Sequence, residues 1–349
     1  MTVFYWNNII LVIILLNCVC VIIGTIIGAG FSSGKEIFTF FNIYGFYGLV
    51  GLILSQIIIG IIIYKFFVIL IKYDISSYSN FIHRIIPKSN FMYNVVCNIV
   101  TIFLLISFIV MVAGFSAYFN QEYSIPYIVG SIVICVLSFF TFLNNINGIV
   151  RINSYFIPFL IFIIILLGFK NLECFTNITY HSINSEFSWV INFLLYASYN
   201  LVVVVPILIT LKKYVTNIKK AKLISFFVTL FLIIMSVIIF ILLNHYFIDI
   251  HSLELPIIYI ASQTGNIFRY VYGIAILFAI FTTAISSGYA FLNNLNIRNK
   301  KAYTFISFLV CLVSIFLSNI GFGSLLNNLY PILGFLGFIQ MFSIITFTK

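Results

Sequence analysis

Charge is what this sequence has least of. Only 7% of its 349 residues are charged, while 63% are hydrophobic; soluble domains carry about 25% charged residues. A water-soluble fold of this size cannot cover such a surface, and no stretch leaves room for a separate soluble domain. Acidic groups are scarcest, with 7 Asp and Glu against 17 Lys and Arg. Chemistry inside a membrane needs a nucleophile–base or metal set, and Glu36 is the single carboxylate that falls within an apolar run. An enzyme is therefore not expected. The four histidines, His83, His181, His245 and His251, are scattered over loops without ligand spacing. The six cysteines show no C-x-x-C spacing, so neither a metal site nor a disulfide framework is indicated. No Walker sequence, H-E-x-x-H or G-x-S-x-G occurs, which argues against ATP-driven pumping and the common hydrolase sites. No cofactor is expected.

Apolar runs long enough to cross the roughly 30 Å hydrocarbon core recur from end to end. They predict an all-α polytopic membrane protein with about ten helices. The expected spans are Ile9–Phe41 (interrupted), Gly45–Ile71, Asn94–Phe119, Tyr127–Phe142, Ser154–Phe169, Trp189–Leu211 (interrupted), Leu223–Leu243, Phe268–Leu292, Tyr303–Leu317 and Gly323–Phe347. The first run is too long for a signal peptide and lacks a basic leader and a cleavage pattern. Leu253–Ser262 is apolar but too short to cross, and reads as a loop helix or re-entrant piece.

The net charge of +10 sorts by side, so it marks topology and not a nucleic-acid partner. With the N-terminus inside, the inner loops hold Lys72, Arg84, Lys88, Arg151, Lys212, Lys213, Lys219, Lys220, Lys222, Arg298, Lys300, Lys301 and Lys349. The outer loops hold Glu122, Glu173, Glu186, Asp249 and Glu254, with only Lys170 and Arg269 against them. Both termini are expected in the cytoplasm of a bacterial cell, with the chain in its inner membrane.

Ten helices divide into five plus five, one transporter domain of two inverted repeats at about residues 9–170 and 189–347. The first span contains Gly24-Thr-Ile-Ile-Gly28-Ala29-Gly30-Phe31-Ser32-Ser33-Gly34-Lys35-Glu36. Its glycines disfavour continuous helix, and Ser33-x-x-Glu36 has the form of a capping box that restarts one. The sixth span carries Ser198 and Asn200 at mid-depth, then Pro206, and is expected to break at the matching place. Two broken helices in corresponding positions point to a binding site. The same glycine spacing also fits small-xxx-small packing of unbroken helices.

The expected pocket has a half-helix beginning near Ser32 or Ser33, whose amides favour an anion. Ala29 and Gly30 leave the backbone open to close approach. Ser198 and Asn200, with unwound carbonyls, would take an ammonium group. Glu36 has two readings: the capping partner of Ser33, or a proton-coupling or amine-binding carboxylate.

The run Gly24 to Glu36 resembles the YkvI-like family of bacterial membrane proteins, whose first helix carries a motif near G-A-G-F-[AS]-[ST]-G-[QK]-E. Tyr199-Asn200 and Pro206 are similar to its sixth-helix pattern, and Lys35 stands where most members have glutamine. The family looks related to the amino acid–polyamine–cation superfamily, and so implies the LeuT architecture and transport of a small-molecule substrate. That architecture implies a sodium ion between helices 1 and 8, at Gly24, Ile27, Ala279, Thr282 and Thr283. The two threonines equally suit ordinary bonding back to the preceding turn.

The function expected is a secondary transporter, coupled to Na+ or H+, for an amino acid or similar zwitterion. The alternative is a sensor that keeps the transporter fold and moves nothing, like the membrane subunit of a germinant receptor. A channel would need a filter motif, and none is visible. Oligomeric state is left open.

Overall fold

A computed structural model of the chain describes residues 2–75, 81, 90–143, 149–176, 178, 180–182, 188–295, 297 and 299–347. Within these, the side chains of residues 2–13, 90–97, 149–155 and 336 are excluded. His83, Arg84, Lys88, Glu186, Arg298 and Lys349 lie outside the described residues, as do the side chains of Cys97 and Arg151.

Among the described residues the chain is helical, with one isolated bridge between Tyr44 and Ser182. Lipid offers no hydrogen bonds, so a spanning backbone must satisfy its own, and helix does this locally. The first span consists of α1 (Thr2–Ile26), α2 (Ala29–Ser33) and α3 (Lys35–Ile37), then a π-helical turn, Phe38–Asn42. There follow α4 (Gly45–Lys72), α5 (Asn90–Tyr123), α6 (Tyr127–Leu143), α7 (Ile149–Lys170) and the short α8 (Glu173–Thr176). The second half comprises α9 (Ser188–Leu211), α10 (Ile218–His245), α11 (Phe247–Ile250), α12 (Pro256–Thr264), α13 (Asn266–Asn294), α14 (Lys300–Ser318) and α15 (Phe322–Thr346). Among the described residues, seven helices are long and apolar enough to cross a membrane; Ile14–Ile26, Tyr127–Leu143 and Phe156–Lys170 are shorter apolar helices. The short apolar piece after residue 253 is α12, a loop helix opened by Pro256 at a position where proline costs no hydrogen bond.

Helices pack on partners half a chain away: α1 on α9, α4 on α10, α5 on α13 and α6 on α14. Small residues bring the partners close. A Cβ on Gly60 of α4 would lie 1.7 Å from Thr229 Oγ1 of α10, and one on Gly130 of α6 would lie 2.7 Å from Ser116 Cα of α5.

Gly60→Ala is expected to lower stability by about 1–3 kcal/mol through overpacking. Thr229→Ala should recover part of this in the double variant, because it removes the clashing hydroxyl. Thermal unfolding of the purified variants measures both; equal losses in the single and double variants would contradict the α4–α10 contact.

Candidate functional site

The first span is broken where its glycines cluster. The amide of Gly28 bonds to Ile26 O at 3.0 Å, whereas a continuous helix would send it to Gly24 O. Gly24 O therefore loses its helical partner. Gly28 is extended (φ −89°, ψ −166°), and α2 restarts immediately, with Ser32 N on Gly28 O at 3.1 Å. The chain breaks again at Gly34, whose φ of 81° is the left-handed region that suits glycine. A Cβ there would also press within 2.8 Å of Ile257 Cγ1 on α12.

This geometry corrects three expectations. The restart falls at Ala29, not at Ser32 or Ser33, whose hydroxyls lie inside α2 and bond to Gly28 O and Gly30 O at 2.8 and 3.0 Å. Nor is there a capping box. Gly34 caps α3, and its left-handed turn carries Glu36 away from Ser33. Finally, the backbone at Gly30 is not open. A Cβ on Gly30 would sit 2.0 Å from Glu36 Oε1, so the carboxyl occupies the space that the missing side chain leaves. Ala29 faces α5, where its Cβ lies beside Gly114.

Glu36 is 4% exposed and accepts a hydrogen bond from Tyr199 OH at 2.6 Å. Tyr199 packs against the rings of Tyr330, Tyr196 and Phe40, at centroid distances of 4.9, 5.3 and 5.8 Å. Nearby, the fully buried Tyr196 hydroxyl and both amide atoms of Gln56 carry no well-formed hydrogen bond. Unpaired buried polar groups are costly and mark places that rearrange or bind.

The sixth span differs from expectation, because α9 runs unbroken from Ser188 to Leu211. It contains no glycine, and Pro206 removes a single amide. Ser198 Oγ bonds to Leu195 O at 2.9 Å and to Gly334 O of α15 at 2.6 Å; Asn200 Nδ2 bonds to Tyr196 O at 2.9 Å. Ser198 thus fastens α9 to α15 and does not face the break of the first span. Asn200 lies beside Tyr196.

Below the break is a cavity of about 260 Å³, walled by α1, α5, α9 and α13. Its polar lining is neutral: Thr25, Ser107, Thr283, Ser286, Ser287 and Asn294, with Gly24 at its head. From Thr283 it follows α13 to the exposed Asn294, roughly 16 Å at the helical rise. Of the expected ion ligands, Gly24 and Thr283 share this wall, while Ile27, Ala279 and Thr282 do not line it. Both threonine hydroxyls bond back into α13: Thr282 to Phe278 O at 3.0 Å and Thr283 to Ala279 O at 2.8 Å. Ser286 and Ser287 extend this hydroxyl stripe one turn further, an i, i+4 repeat visible in the sequence but not singled out there.

Beyond the break, the other face is strapped shut. Lys35 Nζ donates to Leu253 O at 2.7 Å, and Gln121 exchanges two 3.0 Å bonds with the backbone of Leu255. Tyr127 bonds to Glu254, and Arg269 pairs with Glu122 at 2.5 Å. These contacts tie α3, the end of α5 and the start of α6 to the segment before α12, and the start of α13 to the end of α5.

No protein-family model matches the chain. It is 24% identical over 328 residues to the uncharacterized membrane protein YkvI of Bacillus subtilis (strain 168), covering 90% of each. It is 25% identical over 327 residues to the uncharacterized protein YyaD of the same organism, covering 90% of this chain and 91% of YyaD. The resemblance read from the first span therefore extends along the chain. The fold is similar to that of a substrate-bound, outward-open Na+-coupled sialic acid symporter, with a TM-score of 0.59 at 15% identity over 95% of this chain and 79% of that one. It is also similar to the Eremococcus coleocola manganese transporter, with a TM-score of 0.62 at 12% identity over 95% and 77%. The architecture is an all-helical, LeuT-like transporter fold.

If Glu36 fills the space above Gly30, the two positions must be coupled. Gly30→Ala is expected to cost about 1–3 kcal/mol by displacing the carboxyl from Tyr199. In a Glu36→Ala background the same substitution should cost at least about 1 kcal/mol less, the signature of a direct contact. Additive losses in a double-mutant cycle of thermal unfolding would reject the contact.

Proposed function

We propose that this protein is a cation-coupled secondary transporter of a small organic solute, an amino acid or similar zwitterion. It works by alternating access in a bacterial cell membrane, as two inverted repeats at about residues 9–170 and 189–347. The observation that carries this reading is the cavity. It reaches from the break in the first span to one face, while the opposite face is strapped closed. The mouth at Asn294 lies on the side of Lys212, Lys213, Lys219, Lys220 and Lys222, which the positive-inside rule assigns to the cytoplasm. The conformation is then inward-facing, with both termini inside. An exit on the side opposite the strapped face also favours transport over a sensor, which needs a pocket but no way through.

The lining supports the substrate class. The Asn294 amide can donate to a carboxylate, and the Ser286 and Ser287 hydroxyl oxygens, whose protons bond to carbonyls of their own helix, can accept from an ammonium group. A divalent metal ion prefers carboxylate or imidazole ligands, and none lines this cavity. A sodium ion would take the Gly24 carbonyl with the Thr283 hydroxyl, whose lone pairs stay available while its proton bonds to Ala279 O.

The test is a thermal-shift screen of amino acids on purified protein with and without sodium, followed by uptake of the hits into proteoliposomes. Thr283→Ala is expected to reduce the sodium effect roughly tenfold, about 1.4 kcal/mol, and Thr282→Ala to leave it. Stabilisation and uptake that never depend on sodium would reject the Thr283 site; a hit that binds but is never accumulated would favour the sensor. Thiol labelling of cysteines placed in the loop from Lys212 to Lys222 should occur from the cytoplasmic side.

A further inference from the structure

Glu36 sits in a place that suits an acid and not a carboxylate. It is 4% exposed, and among the described residues no cation lies within 4 Å of it. Lys35 precedes it in sequence but faces elsewhere, as adjacent helical residues do. The Lys35 ammonium is held by Leu253 O, with Glu254 as its charged neighbour. The titratable groups that face Glu36 are three tyrosines, Tyr196 and Tyr199 from α9 and Tyr330 from α15. Of these, Tyr199 donates the one hydrogen bond that Glu36 receives. The backbone at Gly30 closes another side. An ionised carboxylate taken out of water with no cation beside it is strongly disfavoured.

We propose that Glu36 is a proton-binding site whose occupation permits the outer face to close. When the outer face is open, water reaches Glu36 and the carboxylate is stable. Closure brings α3 against α9 and α15 and presses the carboxyl onto Gly30, and it takes up one proton to do so. The inner-open form then binds one more proton than the outer-open form, so by linkage acidity favours the inner-open form. The proposal rests on the alternating-access reading of the previous subsection and adds the ion that gates it.

Two cysteine reporters test it in purified protein with N-ethylmaleimide as the probe, each rate corrected for the native-cysteine background and divided by that of glutathione at the same pH, because the thiolate is the reacting form. Ser286→Cys reports the inner cavity. Ile257→Cys, buried on α12 against Gly34, reports opening of the outer face. As pH falls from about 8 to about 5, across the range open to a buried carboxyl, labelling of Ile257→Cys should fall several-fold and that of Ser286→Cys should rise. In Glu36→Gln both rates should become independent of pH and stay at their acid values, because the amide is neutral and still accepts from Tyr199. Infrared spectroscopy should show a protonated-carboxyl band at low pH that Glu36→Gln lacks. Tyr199→Phe removes the hydrogen bond that favours the charged form, so the midpoint should rise by roughly one to two pH units. A pH response that survives in Glu36→Gln, or wild-type labelling that ignores pH, overturns the proposal. Should Glu36→Gln not fold, an unchanged midpoint in Tyr199→Phe overturns it. Failure to move any solute, with these responses intact, would reject transport and leave the proton site standing.

Discussion

A helix that stops inside a bilayer must be enclosed by protein, because lipid cannot satisfy the backbone groups it releases. Much of this molecule is arranged around that requirement. From Ile27 to Ile37 every residue is buried. The segment α2 packs on α5, α12 and α13, and α3 packs on α10 and α15. Tyr272 of α13 reaches across to donate its hydroxyl to Ser32 O at 2.6 Å. Gly114 on α5 makes room for Ala29, and Gly323 on α15 makes room for the stem of Lys35. Helices that would otherwise slide past one another are held in register by the interruption they cover.

The two faces of the break are built from different chemistry. One is sealed by bonds involving Lys35, Gln121, Tyr127 and Arg269. Each contributes about 1 kcal/mol net, so the set amounts to a few kcal/mol. That is the size of gap across which two conformations exchange. The other face is a cavity where the hydroxyls of Thr25, Thr283, Ser286 and Ser287 donate within their own helices and keep oxygens that can accept. A set of small, separable bonds on one side and a smooth, neutral wall on the other suits a structure that opens at its ends and keeps its middle.

Glu36 connects segments far apart in the chain. It belongs to the broken first span, yet its hydrogen bond comes from α9 and its surroundings from α15. The Tyr196 hydroxyl and the Gln56 amide, neither with a well-formed hydrogen bond, lie in the same region.

Much of this was legible in the sequence because it depends on local chemistry. Runs of apolar residues must become helices in lipid, so the ends of α4, α6 and α13 fall within two residues of where hydropathy puts them. Gly34 takes a left-handed backbone that favours glycine, so a break in the first span is readable from its glycines. Pro206, Ser198 and Asn200 suggested a matching break in α9, but a proline deletes one bond and the two polar side chains found carbonyls one turn away. Whether a polar residue opens a helix or fastens it depends on what lies opposite, and for Ser198 that is Gly334 of α15. The same holds for Glu36. Three residues after a serine it read as a cap, until the left-handed turn at Gly34 swung it across Gly30 to Tyr199, which is 163 positions away. Sequence alone determined which segments span and where the backbone is free to break. Only the tertiary structure decided which side chains fill that break, because those contacts join residues that no spacing rule connects.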